Sequence, residues 1–116
     1  MVVILLDILT QGVFVMASRF KLQTMLEEIL ESSNVYFQPP ESVKLSYPAI
    51  VYSRSDIKNT FADNDVYKQS NGYQLTVIDD DPDSIIVQKI SALPMCTFNR
   101  NFKADNLNHD VFTIYY

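Results

Sequence analysis

Large apolar residues recur at two different spacings along this chain. Over "SRFKLQTMLEEILESS" they fall at Leu22, Met25, Leu26, Ile29 and Leu30, a one-sided stripe at steps of three and four that predicts an amphipathic helix. Ser18 stands where an N-cap is wanted, and Glu27, Glu28 and Glu31 lie off the stripe, toward solvent. Such a helix is marginal alone. Burial of the five large side chains, at about 1.5–3 kcal/mol each, has to hold it, so it needs an apolar surface to lie on.

The rest of the chain supplies strands. "VYFQ" (35–38) is a short one, stopped by Pro39 and Pro40, since proline cannot donate to a ladder. "YPAIVYS" (47–53) is β-branched and aromatic, with Pro48 at its entrance, where proline is tolerated. "GYQLTVID" (72–79) alternates Tyr73, Leu75 and Val77 against Gln74, Thr76 and Ile78, the period of a half-buried strand. A second helical stripe follows at Ile85, Ile86, Ile90 and Leu93 in "SIIVQKISAL". Last come "MCTFNRNF" (95–102) and "HDVFTIYY" (109–116), joined by the turn-rich "KADNLN", which reads as a hairpin. The order is α-β-β-β-α-β-β. It predicts an α+β fold, an antiparallel β-sheet with two helices packed on one face.

Composition narrows the function. A chain of 116 residues makes one domain, large enough to bury a core. Two glycines leave no Gly-rich loop to cradle phosphates. A net charge of −5 argues against a general nucleic-acid binder, because phosphate neutralisation needs clustered Lys and Arg. Cys96 has no second cysteine to pair with, and His109 is the lone histidine, so neither a disulfide frame nor a His-rich metal site is expected. "MVVILLDILTQGVFV" is apolar but carries Asp7 and no basic leader. It is shorter than the ~20 residues that cross a bilayer. "MASRFK" reads like an ordinary protein start, so residues 1–15 are expected to be an extension and 16–116 a single domain.

Candidate chemistry concentrates in "LTVIDDDPDS" (75–84), where Asp79, Asp80, Asp81 and Asp83 end a strand and precede a helix. Asp81 before Pro82 reads as an N-cap followed by proline at the first helical position. Asp83 then faces the positive end of the helix dipole. Asp79 and Asp80 remain as possible cation ligands, with no His or Cys fixed beside them. Cys96 reads as a small buried hydrophobe and His109 as a surface or hydrogen-bonded residue rather than a general base. The tail "VFTIYY" reads as core plus interface rather than a base-stacking platform, having no interleaved basic residues. No catalytic residue, metal or cofactor is expected.

The unusual segment is "SRSDIKNTFADNDVYKQSN" (53–71), which joins two good strands although a hairpin needs only about 2–5 connecting residues. It carries Ile57, Phe61, Val66 and Tyr67 among polar residues, with Asp63 and Asn64 between them. That is too apolar for a passive linker. These six residues are the expected subunit or partner interface; an extended arm of the same hairpin is the plainer alternative, and the two are compatible.

Four motifs carry a resemblance: the "YPAIVY" strand, the "TFADN" segment, the "TVIDDDPDS" junction and the "KADNLNH" hairpin. Over nearly all of 17–116 the chain resembles the tail terminator or head–tail joining proteins of long-tailed phages and prophages of Gram-positive bacteria. Residues 1–15 have no counterpart in that likeness. The resemblance implies a non-enzymatic virion protein at the tail–neck junction, forming a homo-oligomeric, hexameric ring on the tail tube protein. Such a ring stops tube growth, meets a head completion or connector protein, and lets genomic DNA pass through its lumen without specific binding. An acidic subunit suits that passage, since like charges repel. A neck stopper protein, a small intracellular binding module and a small monomeric enzyme are the rival readings; the enzyme would need a pocket with converging polar groups.

Overall fold

The computed structural model describes residues 18–62 and 65–116, the side chains of 62 and 65–68 excepted. The expected 1–15 extension and the boundary at Met16 lie outside the described residues. Helix α1 is described over residues 18–30, so Ser18 is already helical. It is followed by β1 (Val35–Phe37), β2 (Ala49–Ala62), β3 (Asp65–Asp79), helix α2 (Ile85–Ser91), β4 (Cys96–Ala104) and β5 (Leu107–Tyr115). The spatial order of the strands is β1-β2-β3-β5-β4.

The fold is α+β as expected, but the sheet is mixed. β1 runs parallel to β2, with Tyr36 opposite Val51, whereas every other neighbouring pair is antiparallel. The correction has a local cause. Pro39 and Pro40 end β1 because they have no N–H for a ladder, and residues 38–48, with a turn in which the Val43 N–H donates to the Pro40 carbonyl, carry the chain back before it re-enters as β2. β5 lies between β3 and β4 and is antiparallel to both, so β3 and β4 are parallel and joined across it through α2, a split βαβ arrangement.

One core joins both helices to one face of the sheet. Leu22, Leu26 and Leu30 of α1 and Ile86 and Ile90 of α2 pack on Ile50, Tyr52, Tyr73, Leu75, Val77, Phe112 and Ile114. Met25, Ile29, Val87 and Leu93 close its margin, half-buried. Ile85, counted in the second stripe, is instead 62% exposed. α1 ends with Glu31 in the left-handed region at φ 58°, where the Ser32 N–H donates to the Glu27 carbonyl and that of Glu31 to Glu28. This is the Schellman pattern, with Glu where Gly is usual. The β4–β5 hairpin closes through Asp105 and Asn106, both at positive φ (52° and 62°). Two such residues make the type I′ turn whose twist suits a hairpin, and Asp and Asn tolerate it.

A polar contact sits inside this apolar layer. Tyr52, 1% exposed, donates its hydroxyl to Gln23 Oε1 on α1. Gln23 Nε2 donates in turn to the Val35 carbonyl on β1 and to Glu27 Oε1, each at 3.0 Å. The Tyr52 ring packs against Phe37 at 4.9 Å and Tyr73 at 5.9 Å between centroids. Arg19 lies 4.4 Å over the Phe37 ring. Burial pushes the Tyr52 hydroxyl above its ordinary pKa, opposed by the Arg19 guanidinium.

Two outcomes follow for stability. Gln23→Ala, which strands the buried Tyr52 hydroxyl, should cost about 1–3 kcal/mol in urea denaturation, more than Tyr52→Phe alone. The raised pKa means the folded chain holds this proton more tightly than the unfolded one. The contribution of Tyr52 is therefore complete below the ordinary tyrosine value of about 10 and is lost as pH rises through the folded value. Tyr52→Phe should flatten the alkaline fall in stability; an unchanged slope would refute the assignment.

Candidate assembly interface

Within segment 53–71, residues 53–62 and 65–71 are strand rather than loop. β2 and β3 pair from Ala49 opposite Ile78 to Ala62 opposite Asp65, so the plainer alternative, an extended hairpin arm, is what the chain forms. The arm outruns its neighbours. β1 pairs only with Ile50, Val51 and Tyr52 of β2, and β5 follows β3 only as far as Gly72 opposite Tyr115. β3 alone, 15 residues long, spans about 50 Å at 3.3 Å per residue, close to the molecule's long axis of 55 Å.

The arm has two unlike sides. Counted along β2, strand alternation puts Ile57, Asn59 and Phe61 on one and Asp56, Lys58 and Thr60 on the other, and a register shift between Thr60 and Phe61 sets Phe61 opposite Val66. A β-bulge lies between Arg54 and Asp56. Counted through it, the Ile57 side continues the face that the helices cover in the body. Beyond them Ile57 is 47% and Phe61 63% exposed. Between them Gln69 Nε2 donates to Asn59 Oδ1 at 3.0 Å across the ribbon. Of the six expected interface residues, then, Ile57 and Phe61 lie on one exposed side. Asp63 and Asn64 lie outside the described residues, and Val66 and Tyr67 are placed only by their backbone in β3.

At the arm's root the structure brings together three residues that the sequence did not group. Asp56 faces Gly72, and Gly72 faces Tyr115 on β5. A glycine inside a strand often marks a close approach, the one signal available in advance.

Two further apolar surfaces are open. Among the described residues β4 has no neighbour on its outer side, and it carries Phe98 and Phe102, 50% and 40% exposed. Phe98 leans on Phe112 at 5.4 Å, and Phe102 stacks on His109 at 4.7 Å. Elsewhere, adjoining depressions of about 340 and 220 Å³ flank Met25 and Tyr116 between α1 and the end of β5.

The acidic junction is built from turns, and the capping assignment is corrected. The N-cap of α2 is Ser84, whose Oγ accepts from the Ile86 N–H at 3.2 Å, and the first helical turn holds no acid. Asp79 accepts from the Asp81 N–H at 3.2 Å and Asp81 from the Asp83 N–H at 2.9 Å. Asp81 thus closes an Asx turn ahead of the helix, and Asp83 stands just outside it. The hydroxyl wins the cap because Pro82 and Asp83 are spent on a turn, an alternative that Asp side chains offer the backbone. Among the described residues no three His, Cys, Asp or Glu side chains group to hold a metal ion.

Cys96 and His109 do not meet. Cys96 pairs with Ile114 at one end of β4, and His109 with Phe102 near the other, about 20 Å apart along the strand. Cys96 is half-buried, and burial pushes its thiol up, away from the reactive thiolate. His109 is half-buried, and its Nδ1 lies 3.1 Å from the Leu107 carbonyl. No helix among the described residues is long and apolar enough to cross a membrane.

Set against protein families, curated proteins and solved structures, the chain matches none of them.

Ser84→Ala should lower stability by about 0.5–2 kcal/mol as a lost cap, and Asp81→Ala by less. Thermal melts with and without calcium or a chelator should coincide for both variants and for the wild type. Melting that depends on the chelator would make the acids a cation site.

Proposed function

We propose that this protein is a non-enzymatic subunit of a phage tail–neck junction, a tail terminator that closes the tail tube as a ring and joins it to the head connector. The observation that carries the reading is the exposed apolar side of the arm, Ile57 and Phe61, held out beyond the body. The resemblance in the "YPAIVY", "TFADN", "TVIDDDPDS" and "KADNLNH" stretches gives it its biological setting. Large apolar side chains on a projecting ribbon suit burial against a partner, at about 1.5–3 kcal/mol for each one fully covered.

The physical task is closure. A tube grows because each ring presents the interface that the next one needs, so growth stops when a different subunit covers that end. Head-to-tail contacts between copies close when their rotation divides the circle, and a rigid arm is one way to fix the rotation. In this reading the ring is a hexamer, its tube-facing contacts come from the arm and the sheet edges, and its acidic character keeps passing DNA from adhering. Its place is the virion, at the junction of tail and head.

Electron microscopy of particles from a deletion strain tests the role. Filled heads beside separate, overlong tails are expected. Tails of normal length with leaking heads would make the protein a stopper of the neck, and fully infectious particles would remove it from the junction. For the interface itself, Phe61→Ala should leave the isolated subunit within about 0.5 kcal/mol of wild-type stability. It should weaken association at least about fivefold, the mark of an interface residue worth over 1 kcal/mol. Loss of the folded subunit instead would make Phe61 part of the core.

A further inference from the structure

The direction of the arm is a property of the fold that its length alone does not set. A two-stranded ribbon leaving a sheet has no third strand to hold its angle, and twisted ribbons bend readily at bulges. Such a bulge stands at the root, where the register of β2 against β3 shifts between Arg54 and Asp56. Opposite it is Gly72, the position at which β5 ends its pairing with β3. Bulge, glycine and end of third-strand support coincide at one rung.

That rung is covered by one side chain. A Cβ at position 72 would lie 2.9 Å from Tyr115 Cε1 and 3.0 Å from Asp56 Cβ, so the tyrosine ring rests on the bare glycine backbone. The Tyr115 hydroxyl donates to Asp56 Oδ2 at 2.9 Å, and Lys58 Nζ sits 4.3 Å over the same ring. Asp56 Oδ1 meanwhile accepts from the Ile57 N–H at 2.8 Å. Asp56, Lys58, Gly72 and Tyr115 all lie on the side of the ribbon opposite Ile57 and Phe61. Backbone bonds anchor the strand that carries the ring: the Tyr115 N–H donates to the Met95 carbonyl and the Tyr116 N–H to the Asn71 carbonyl.

From this we infer that Tyr115 is a latch that sets the angle of the arm, gripping β2 through Asp56 and Lys58 while its ring sits in the gap at Gly72. The body thereby dictates where Ile57 and Phe61 point. An arm held this way meets a partner already oriented and gives up little freedom on binding. The latch stands on the fold alone and holds whichever partner takes the arm, so its test separates from that of the tail-terminator reading.

The test is a distance measurement on the full chain in solution. Spin labels are placed at Thr60→Cys on the arm and Gln88→Cys on α2, both exposed positions, with Cys96→Ser removing the native thiol. The distance distribution should be narrow in the otherwise wild-type chain. Tyr115→Ala should broaden it at least twofold or move its centre. Tyr115→Phe, which keeps the ring and loses the bond to Asp56, should fall between. Should Tyr115→Ala fail to fold, Asp56→Ala at the exposed root removes the hydroxyl's acceptor without touching the core, and it should broaden the distribution too. A broad wild-type distribution, or folded variants that keep the wild-type width and centre, would overturn the latch.

Discussion

The bond between the Tyr52 hydroxyl and Gln23 is the contact on which the two layers depend. An apolar stripe such as Leu22, Leu26 and Leu30 is attracted to any greasy surface and can slide along it. A buried hydroxyl cannot slide, because losing its partner leaves an unpaired polar group in a low-dielectric interior. Gln23 fixes α1 twice over, through β2 by way of Tyr52 and through β1 by way of the Val35 carbonyl. With the rotation of α1 set, its three leucines fall over the sheet's apolar face and every described buried side-chain nitrogen and oxygen finds a partner.

The molecule divides into a body and an arm that share two strands but not their surroundings. In the body, β3 has a neighbour on each side and its Tyr73, Leu75 and Val77 are buried to 1% exposure or less. Past Asn71, whose carbonyl takes the Tyr116 N–H, β2 is the one neighbour of the same strand among the described residues, and the apolar positions of the β2 arm stand in solvent. The radius of gyration, 16.6 Å, exceeds the roughly 13 Å of a compact domain of this length. The chain spends residues on reach that it could have spent on core, and the latch at Tyr115 makes that reach directional.

Much of the body was legible in the sequence because it rests on period. The α1 stripe, the alternation of 73–78 and the closing hairpin all follow from spacing and turn chemistry. The direction of β1 did not, since it is set by how residues 38–48 travel. The cap of α2 was misread because Asp81 and Ser84 both offer a side-chain oxygen. The choice between them depends on a turn through Pro82 and Asp83 that period does not encode. The arm was seen as a long connection with apolar residues, and its strand character emerges only from continuous pairing across the ribbon. Of the expected interface residues, Ile57 and Phe61 could be named but not placed on one side. Gly72, Asp56 and Tyr115 were out of reach because they meet across three strands, with 42 residues between Gly72 and Tyr115.

The inner place of β5 has a consequence for how the protein is made. Of the five strands it is the last to leave a ribosome, yet it sits between β3 and β4. Until it emerges, β4 has no neighbour, the helix-covered face lacks Phe112 and Ile114, and Tyr115 cannot reach the arm. A nascent chain can therefore form the β2–β3 ribbon early but cannot aim it. The complete core and the latch thus arrive in one step, after the other four described strands have been synthesised.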